Sequence, residues 1–242
     1  MNRFRSYYIP SAFTRKKAGA PLKVSVVIPT MNEEASIGAV MDSINATMSA
    51  SKYDYEVLIV DISKDRTREI ATSKGARVVD EPRRGYGRAY KSGFEAATGE
   101  IVATLDADCT YPAEDIPKLA DMLVSEELDF ITTDRFADME EGAMSGMHRF
   151  GNKLLTMTSR VLFHVRFHDS QSGMWVFRKQ CLSQLELKDD GMPFSEEIKI
   201  EAFRKLRAKE VPIIYRKRVG EVKLSSWKDG WKNFKFLWKK RF

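Results

Sequence analysis

The sequence predicts an α/β fold with a mostly parallel central sheet flanked by helices. Short apolar runs of strand character alternate with segments of helical periodicity through the first half of the chain, and polar residues follow several of these runs. With 242 residues, 43% of them hydrophobic, the chain is long enough for one well-cored domain. Strict alternation of strand and helix implies parallel strands, right-handed crossovers and a ligand crevice at the carboxyl ends of the strands.

The predicted elements follow one another along the first half of the chain. The first helix has the clearest pattern, because Ile37, Val40, Met41 and Ile44 recur at the spacing of one helical face. Gly99 ends the third helix, and the strand after it leads directly into two aspartates. Strands are predicted at residues 24–28, 57–60, 77–79, 101–105 and 130–132, and helices at residues 37–48, 67–74, 90–97 and 116–124.

Charge divides the chain into three parts. The net charge is +6, yet residues 1–17 hold five Lys or Arg and no acid, and residues 204–242 hold fourteen Lys or Arg against three acids. Basic ends of this kind are typical of contact with an anionic surface, membrane or nucleic acid, although a solvated charge run has the same composition. We predict a basic, aromatic N-terminal arm at residues 1–21, one domain at 22–224 and an amphipathic helix at 225–242.

Cysteine content and hydropathy disfavour several protein classes. Cys109 and Cys181 are far apart, so neither a disulfide framework nor a zinc site is expected, and a reducing compartment fits. The apolar runs are shorter than the roughly 18 residues of a membrane-spanning helix, and the basic N-terminus lacks the apolar core of a signal peptide. We therefore expect a cytoplasmic protein that neither spans a membrane nor is exported.

Polar loops follow three of the predicted strands and bring carboxylates to one edge of the sheet. Like charges gathered there repel one another unless a cation or sugar hydroxyls lie between them. Asp106 and Asp108 suit a divalent cation that also binds a nucleotide diphosphate. Solvated turn residues, or helix capping by Asp65 and Thr67, are the alternatives. The loops comprise residues 29–34, 61–67 and 106–108.

A glycine- and arginine-rich segment at residues 83–88 opens the third helix. Its glycines allow the backbone to approach a ligand, and its arginines, Arg84 among them, suit a phosphate. The segment is not a P-loop, because no Gly-Lys-Ser/Thr follows, and the Gly-x-Gly-x-x-Gly pattern of nicotinamide binding is also missing.

These loops resemble the motifs of family-2 glycosyltransferases. Pro29-Thr30-Met31-Asn32-Glu33 is similar to the Pro-Thr-Tyr-Asn-Glu of that family, and Asp106-Ala107-Asp108 to its Asp-x-Asp. The loop at 61–67 is similar to its Asp-Asp-x-Ser-x-Asp-Gly-Thr. In the second half the resemblance narrows to dolichyl- or polyprenyl-phosphate sugar synthases, and residues 134–144 look like the archaeal branch that charges dolichyl phosphate with glucose or N-acetylglucosamine. The segments concerned are 133–136, 149–152, 169–173 and 218–224.

The resemblance covers about residues 22–230 and implies a GT-A fold. It also implies an inverting transfer of one sugar from UDP-glucose, UDP-N-acetylglucosamine or GDP-mannose to dolichyl or polyprenyl phosphate, for protein N-glycosylation or cell-surface glycans. Mg²⁺ or Mn²⁺ at Asp106 and Asp108 would neutralise the leaving diphosphate. Because the acceptor phosphate is already nucleophilic, orientation and charge neutralisation matter more than a strong base.

Roles for individual residues follow from the same resemblance. The nucleotide pocket would be formed by Pro29, Met31, Glu33, Asp61, Asp106 and Ala107. Phosphate groups would be bound by Arg149, Arg218 and Lys223, since an arginine fork donates two bonds to one phosphate. Arg135, Asp169 and Glu197 would act at the reacting groups, although Glu196 and Glu197 are equally explained as the first turn of a helix.

The basic C-terminal segment carries an aromatic stripe. Trp227, Trp231, Phe234 and Trp238 share one helical face, and lysines follow the same spacing along its flank. We expect this helix to lie in the headgroup layer of an anionic membrane, which would make the protein peripheral on the cytoplasmic face. Docking on the protein's own core is the alternative. A nucleic-acid partner is not expected, because aromatics on one face suit lipid better than stacking on successive bases.

The favoured function is therefore that of a membrane-associated polyprenyl-phosphate glycosyltransferase. Two alternatives stay open: transfer to a non-lipid glycan acceptor, and a catalytically idle GT-A-like scaffold on a membrane. The sequence specifies neither the sugar, nor the nucleotide, nor the oligomeric state.

Overall fold

The computed structural model describes residues 21–220 and 226–242, with the side chains of residues 226–229 excepted. Nearly all of the predicted N-terminal arm, and Lys223, lie outside the described residues. The strands are β1 (Lys23–Thr30), β2 (Asp54–Asp61), β3 (Arg77–Asp80), β4 (Ile101–Thr104), β5 (Phe130–Met139), β6 (Trp175–Arg178) and β7 (Ala208–Tyr215). The helices are α1 (Ile37–Ser49), α2 (Thr67–Ser73), α3 (Tyr86–Ala96), α4 (Ile116–Ser125), α5 (Gly146–Phe163), α6 (Phe194–Lys205) and α7 (Ser226–Arg241).

The strands form one sheet in the order β3-β2-β1-β4-β6-β5-β7. β1 pairs in parallel with β2 and β4, and β2 with β3. β6 runs antiparallel to both of its neighbours, whereas β5 and β7 are parallel. The predicted α/β class with a mostly parallel sheet is therefore confirmed, and the predicted elements are found in place. β5 extends to Met139, and α3 begins earlier than predicted, at Tyr86.

Helices cover both faces of the sheet. On one face α1 and α4 pack through apolar residues such as Met41 and Leu119. On the other face α3 and α6 pack through the aromatic residues Tyr90, Phe94 and Phe194. Because β1 is buried between these layers, it is a continuous apolar run and not an alternating one. β1 is the third of the seven strands, so the loop at its carboxyl end lies near the middle of that end of the sheet.

The last three helices form a smaller corner of the molecule. Leu155 of α5, Ile200 of α6 and Leu237 of α7 belong to one buried apolar cluster, and Leu237 has no exposed surface. α7 therefore packs on the protein through one face, as one of the two predicted alternatives requires. No helix of residues 21–220 and 226–242 has the length and apolarity to cross a bilayer.

Candidate active site

The loops after β1 and β2 lie side by side at the carboxyl edge of the sheet. The backbone N–H of Asn32 donates to Ser63 Oγ at 2.7 Å, and Asn32 Oδ1 accepts from the backbone N–H of Lys64 at 2.9 Å. Asn32 has a φ of 56°, in the left-handed region that asparagine tolerates. Asp65 Oδ1 accepts from the backbone N–H of Thr67 at 3.0 Å. The polar motif residues thus first serve to hold the two loops together.

Asp61 is enclosed by these loops and is only 2% exposed. Its Oδ1 accepts from Thr30 Oγ1 at 2.7 Å, and its Oδ2 lies 3.3 Å from Arg68 Nε. Ser63 also donates to it through both its hydroxyl and its backbone N–H. Asp61 therefore fixes the conformation of the β2 loop against the end of β1. Its direct contact with a nucleotide stays a prediction.

The other residues predicted for the nucleoside pocket border the same edge. Pro29 and Met31 are half-buried, and Ala107 is buried. The backbone N–H of Glu33 donates to Thr67 Oγ1 at 2.7 Å, which fixes the start of the loop. The carboxylate of Glu33 is close enough to Asp106 to contribute to the raised pKa of that residue. The β1, β2 and β4 loops therefore meet at one place, as predicted.

Asp108 is buried and hydrogen-bonded on both carboxylate oxygens. Oδ1 accepts from the backbone N–H of Thr110 at 3.1 Å and from its hydroxyl at 2.6 Å, and Oδ2 lies 2.7 Å from Arg218 Nη2. The backbone N–H of Val219 donates to the Asp108 carbonyl at 2.9 Å. The segment after β7 thus runs along the β4 loop and carries Arg218 to the predicted metal ligand.

Asp106 is half-buried and faces the Asp169–Gly173 loop. A Cβ placed on Gly173 would lie 2.5 Å from the Tyr86 hydroxyl and 3.4 Å from Asp106 Oδ1, so glycine lets the loop approach both side chains closely. Burial and the neighbouring Asp108 raise the pKa of Asp106 to about 7, while Arg218 and Arg135 oppose the shift. Asp106 and Asp108 are adjacent carboxylates, and Arg218 already brings a positive charge to them. Such oxygen donors fit Mg²⁺ or Mn²⁺.

Arg135 and Asp169 form a buried, bidentate ion pair. Arg135 Nε lies 2.6 Å from Oδ2 and Nη2 lies 2.9 Å from Oδ1, while Asp169 has no exposed surface. Burial alone would raise the pKa of Asp169, but Arg135 holds it below its ordinary value. Arg135 also lies over the ring of Tyr215. Since both carboxylate oxygens are bound, Asp169 positions Arg135 and the loop that follows it.

Behind this pair lies a polar network that the sequence did not reveal. Lys199 has no exposed surface and donates from Nζ to the Asp169 carbonyl at 2.7 Å, and burial lowers the pKa of Lys199 to about 7. Gln171 Nε2 donates to Glu196 Oε1 at 2.6 Å. Burial raises the pKa of Glu196 to about 8. The sequence indicated this network only in part, through the unusual number of charged residues in the helical segment that becomes α6.

Other predicted site residues are exposed, have contacts of a structural kind, or are outside the described residues. Glu197 is in the first turn of α6, accepts from the backbone N–H groups of Lys188 and Asp189 and pairs with Lys240 of α7. These contacts favour a structural role, and its catalytic role stays a prediction. Arg149 on α5 and Arg84 before α3 are exposed, and Lys223 is outside the described residues.

The glycines of the 83–88 segment lie close to other parts of the protein. A Cβ on Gly87 would lie 2.6 Å from Cβ of Phe194, and one on Gly85 would fall on the carbonyl of Asp190. Arg83 and Arg88 both pair with Glu81, which is 4% exposed, and Arg83 and Arg84 are both exposed to solvent. These glycines therefore allow α3 to pack closely against the chain around the start of α6, and their approach to a ligand stays a prediction.

A second acidic group lies beside the Arg135 pair. One ligand atom each of Asp134, His168 and Glu210 lie within 4.8 Å of one another. Glu210 is already bonded to the backbone N–H groups of His168 and Asp169, at 2.6 and 3.0 Å. The carboxylate of Glu210 thus holds the start of the Asp169–Gly173 loop.

The sheet order and the Asp-x-Asp loop at its centre define the GT-A class of nucleotide-sugar transferase folds. The chain is similar in structure to glucosyl-3-phosphoglycerate synthase from Mycobacterium tuberculosis in complex with Mn²⁺, UDP and glucosyl-3-phosphoglycerate. The TM-score is 0.74 at 22% identity, over 91% of this chain and 80% of the other. The predicted fold is confirmed.

The particular family follows from sequence comparison: the chain belongs to glycosyl transferase family 2, whose model matches residues 25–185. It is 38% identical over 217 residues to the low-salt glycan biosynthesis hexosyltransferase Agl6 of Haloferax volcanii, covering 88% of this chain and 52% of that protein. It is 35% identical over 207 residues to the dolichyl-phosphate hexose transferase of the same organism, covering 86% and 89%. The chain thus spans about half the length of Agl6. The predicted family and enzyme class are confirmed.

Proposed function

We propose that the protein transfers one sugar from a nucleotide diphosphate sugar to a dolichyl or polyprenyl phosphate, with inversion at the anomeric carbon. The observation that carries the proposal is the meeting of Asp106 and Asp108 with Arg218, next to the Arg135–Asp169 pair. Such a site presents carboxylates for a metal diphosphate and guanidinium groups for a phosphate acceptor. The similarity to a dolichyl-phosphate hexose transferase over most of both chains supports the same acceptor class.

In this proposal the β1 and β2 loops bind the nucleoside, and Asp106 and Asp108 hold Mg²⁺ or Mn²⁺. The metal supplies charge neutralisation to the leaving diphosphate. Arg218 moves from Asp108 to a phosphate group, because its planar fork binds phosphate oxygens as well as carboxylate oxygens. Arg135, fixed by Asp169, directs its positive charge toward the same space. The acceptor phosphate attacks as an anion and needs no general base.

The C-terminal helix α7 brings the protein to the cytoplasmic face of the membrane, where the lipid acceptor lies. Trp231 and Trp238 remain 59% and 55% exposed although α7 packs on the protein. The exposed lysines 232, 235 and 239 lie on the same helix. Aromatic rings at the apolar boundary and lysines among anionic headgroups are the usual contacts of an interfacial helix.

The test is a screen of sugar nucleotides with dolichyl phosphate, in the presence of Mg²⁺ or Mn²⁺, with the products identified by mass spectrometry. We expect one donor to give a hexosyl or N-acetylhexosaminyl phosphodiester of the lipid, and its anomeric configuration, read by NMR, to be opposite to that of the donor. Transfer to a free glycan, with none to the lipid phosphate, would contradict the proposed acceptor class. The Asp108→Asn variant is the inactive control.

A further inference from the structure

The helix α5 presents an apolar stripe to solvent. Five of its side chains are half or more exposed: Met147 at 61%, Phe150 at 68%, Leu154 at 50%, Met157 at 64% and Val161 at 64%. Their spacing of three and four residues places them on one face of the helix. The opposite face, with Leu155, Ser159 and Phe163, is buried against the protein. Soluble surfaces seldom leave so regular an apolar row without a partner.

A second exposed stripe lies on the neighbouring helix, α7. The rings of Trp231, Phe234 and Trp238 stack in sequence, with centroids 5.9 and 6.4 Å apart. Phe234 is half-buried against the apolar cluster, whereas Trp231 and Trp238 are more than half exposed and Phe242 is 84% exposed. Leu237 is buried in the apolar cluster that also contains residues of α5. α7 therefore docks on the protein through one face and leaves Trp231, Trp238 and Phe242 exposed.

The charge of these two helices is of one sign. Residues 146–163 and 230–242 contain eight Lys or Arg and no Asp or Glu. Lys240 turns inward to Glu197 and Glu201, whereas the other seven are exposed: Arg149, Lys153, Arg160, Lys232, Lys235, Lys239 and Arg241. These seven residues form a basic rim around the two apolar stripes. A binding partner that matches this surface offers both hydrocarbon and negative charge.

We propose that α5 and α7 together form the surface by which the protein docks on an anionic lipid bilayer, so that α7 does not act alone. The bilayer provides acyl chains for the two stripes and anionic headgroups for the rim. A second copy of the chain fits poorly, since a two-fold interface would place the basic rim against itself. The need for a lipid surface rests on the proposed function, but the docking itself is independent of sugar transfer.

Both helices also hold the loop that carries Asp169. On α5, Thr156 Oγ1 accepts from the backbone N–H of Ser170 at 3.0 Å. On α7, Asn233 Nδ2 donates to Gln171 Oε1 at 3.0 Å. A bilayer in contact with α5 and α7 would therefore lie close to the Arg135–Asp169 side of the site, where a lipid-linked phosphate has to enter.

The test compares three forms of the full chain on vesicles that contain no acceptor lipid. The variant Met157→Ser/Val161→Ser removes two exposed side chains from the α5 stripe. The matched control Val124→Ser/Ile214→Thr changes exposed apolar residues on α4 and β7, which are 38% and 47% exposed. Co-sedimentation is measured with phosphatidylcholine vesicles, with and without phosphatidylglycerol, and circular dichroism confirms that each variant is folded.

We expect the α5 variant to partition onto anionic vesicles about tenfold more weakly than wild type, because two apolar side chains no longer enter the lipid. The control should bind like wild type. Equal binding of the α5 variant and wild type would overturn the proposal. So would a wild-type dimer, seen by sedimentation velocity, that the α5 substitutions dissociate. If the wild type transferred no sugar to a short soluble polyprenyl phosphate but still bound vesicles, the proposed function would be contradicted and the docking proposal would stand.

Discussion

Arg218 forms an ion pair with Asp108. Its Nη2 lies 2.7 Å from Oδ2 of the Asp108 carboxylate, and Asp108 is only 2% exposed. The guanidinium therefore supplies, in the protein alone, the positive charge that a divalent metal would supply in the complex. In the proposed complex, a metal on Asp108 would compete with Arg218 for one oxygen, and a nucleotide diphosphate would relieve the competition because it offers the arginine other oxygens. The geometry implies that metal binds weakly without nucleotide and more tightly with it.

We predict that Arg218→Gln binds Mn²⁺ about tenfold more tightly than wild type when no nucleotide is present, because the competing cation is gone. Sugar transfer by the same variant should be slower, since a phosphate loses its bidentate donor. Titration of free Mn²⁺ by electron paramagnetic resonance measures the affinity. Arg216→Gln is the matched control, because Arg216 is two residues away and pairs with Glu114. Unchanged Mn²⁺ affinity in Arg218→Gln would show that the arginine does not compete.

A second prediction concerns the metal ligands. Asp108→Asn should abolish sugar transfer and leave the fold intact, because an amide oxygen still accepts from Thr110 while the charge for the metal is lost. The amide is preferred to alanine, since Asp108 is buried. Activity of the wild type should also disappear in excess chelator and return with Mg²⁺ or Mn²⁺. Full activity in chelator would contradict the metal assignment, and thermal melting checks the fold.

The sequence predicted the first half of the fold well because hydrophobic periodicity dominates there. β1, β2, β4 and α1 have apolar faces that are buried as the pattern requires. In the second half of the chain, hydrophobic periodicity does not predict the elements, for two physical reasons. α6 buries four charged residues, so the sequence of its inner face lacks the apolar pattern of a buried helix. These residues are Glu196, Glu197, Lys199 and Glu201. β6 has only four residues, and it runs antiparallel between two strands that come earlier in the chain.

The candidate site was predictable as a set of residues but not as a set of contacts. Asp106, Asp108 and Arg218 were all singled out, yet their pairing depends on the path of the chain after β7, which no local pattern encodes. Arg135 and Asp169 are 34 residues apart in sequence, and their ion pair emerges only in the folded sheet. The packing of the glycines in the 83–88 segment against the protein was not predicted, because glycine permits close approach to a ligand and to protein alike.

A third prediction follows from the buried carboxyl of Glu196. Its folded pKa of about 8 lies above the ordinary value of 4.5, because burial disfavours its charge, while Lys199 and Gln171 oppose the shift. The folded state thus retains a proton that the unfolded chain loses. The stability that this provides is complete below pH 4.5 and is lost progressively as pH rises towards 8.

The variant Glu196→Gln removes this titration and keeps an oxygen for Gln171. We expect the free energy of unfolding of the wild type, relative to the variant, to fall by a few kcal/mol, roughly, between pH 5 and 8. Urea unfolding at several pH values measures the difference. Parallel pH profiles of the two proteins would show that Glu196 is ionised in the folded state. Burial lowers the pKa of Lys199 to about 7, so this neighbour also titrates in the same pH range, but it is common to both proteins.

The last prediction concerns the aromatic face of α7. Trp231→Ser/Trp238→Ser should weaken binding to anionic vesicles without unfolding the protein, because both side chains are more than half exposed while Leu237 and Asn233 hold the helix. High salt should weaken wild-type binding by screening the lysines. The matched control is Phe236→Leu, since Phe236 is half-buried against the apolar cluster and does not belong to the exposed stripe.

Sugar transfer by the Trp231→Ser/Trp238→Ser variant separates anchoring from chemistry. Transfer to a short, water-soluble polyprenyl phosphate should match wild type, because the β4 loop and its arginines are unchanged. Transfer to dolichyl phosphate in vesicles should fall in proportion to the lost binding. If the variant still sediments with anionic vesicles like wild type, the aromatic face does not contact lipid. If transfer to the soluble acceptor also falls, α7 acts on the Asp169–Gly173 loop through Asn233 and Gln171, whose side chains are hydrogen-bonded.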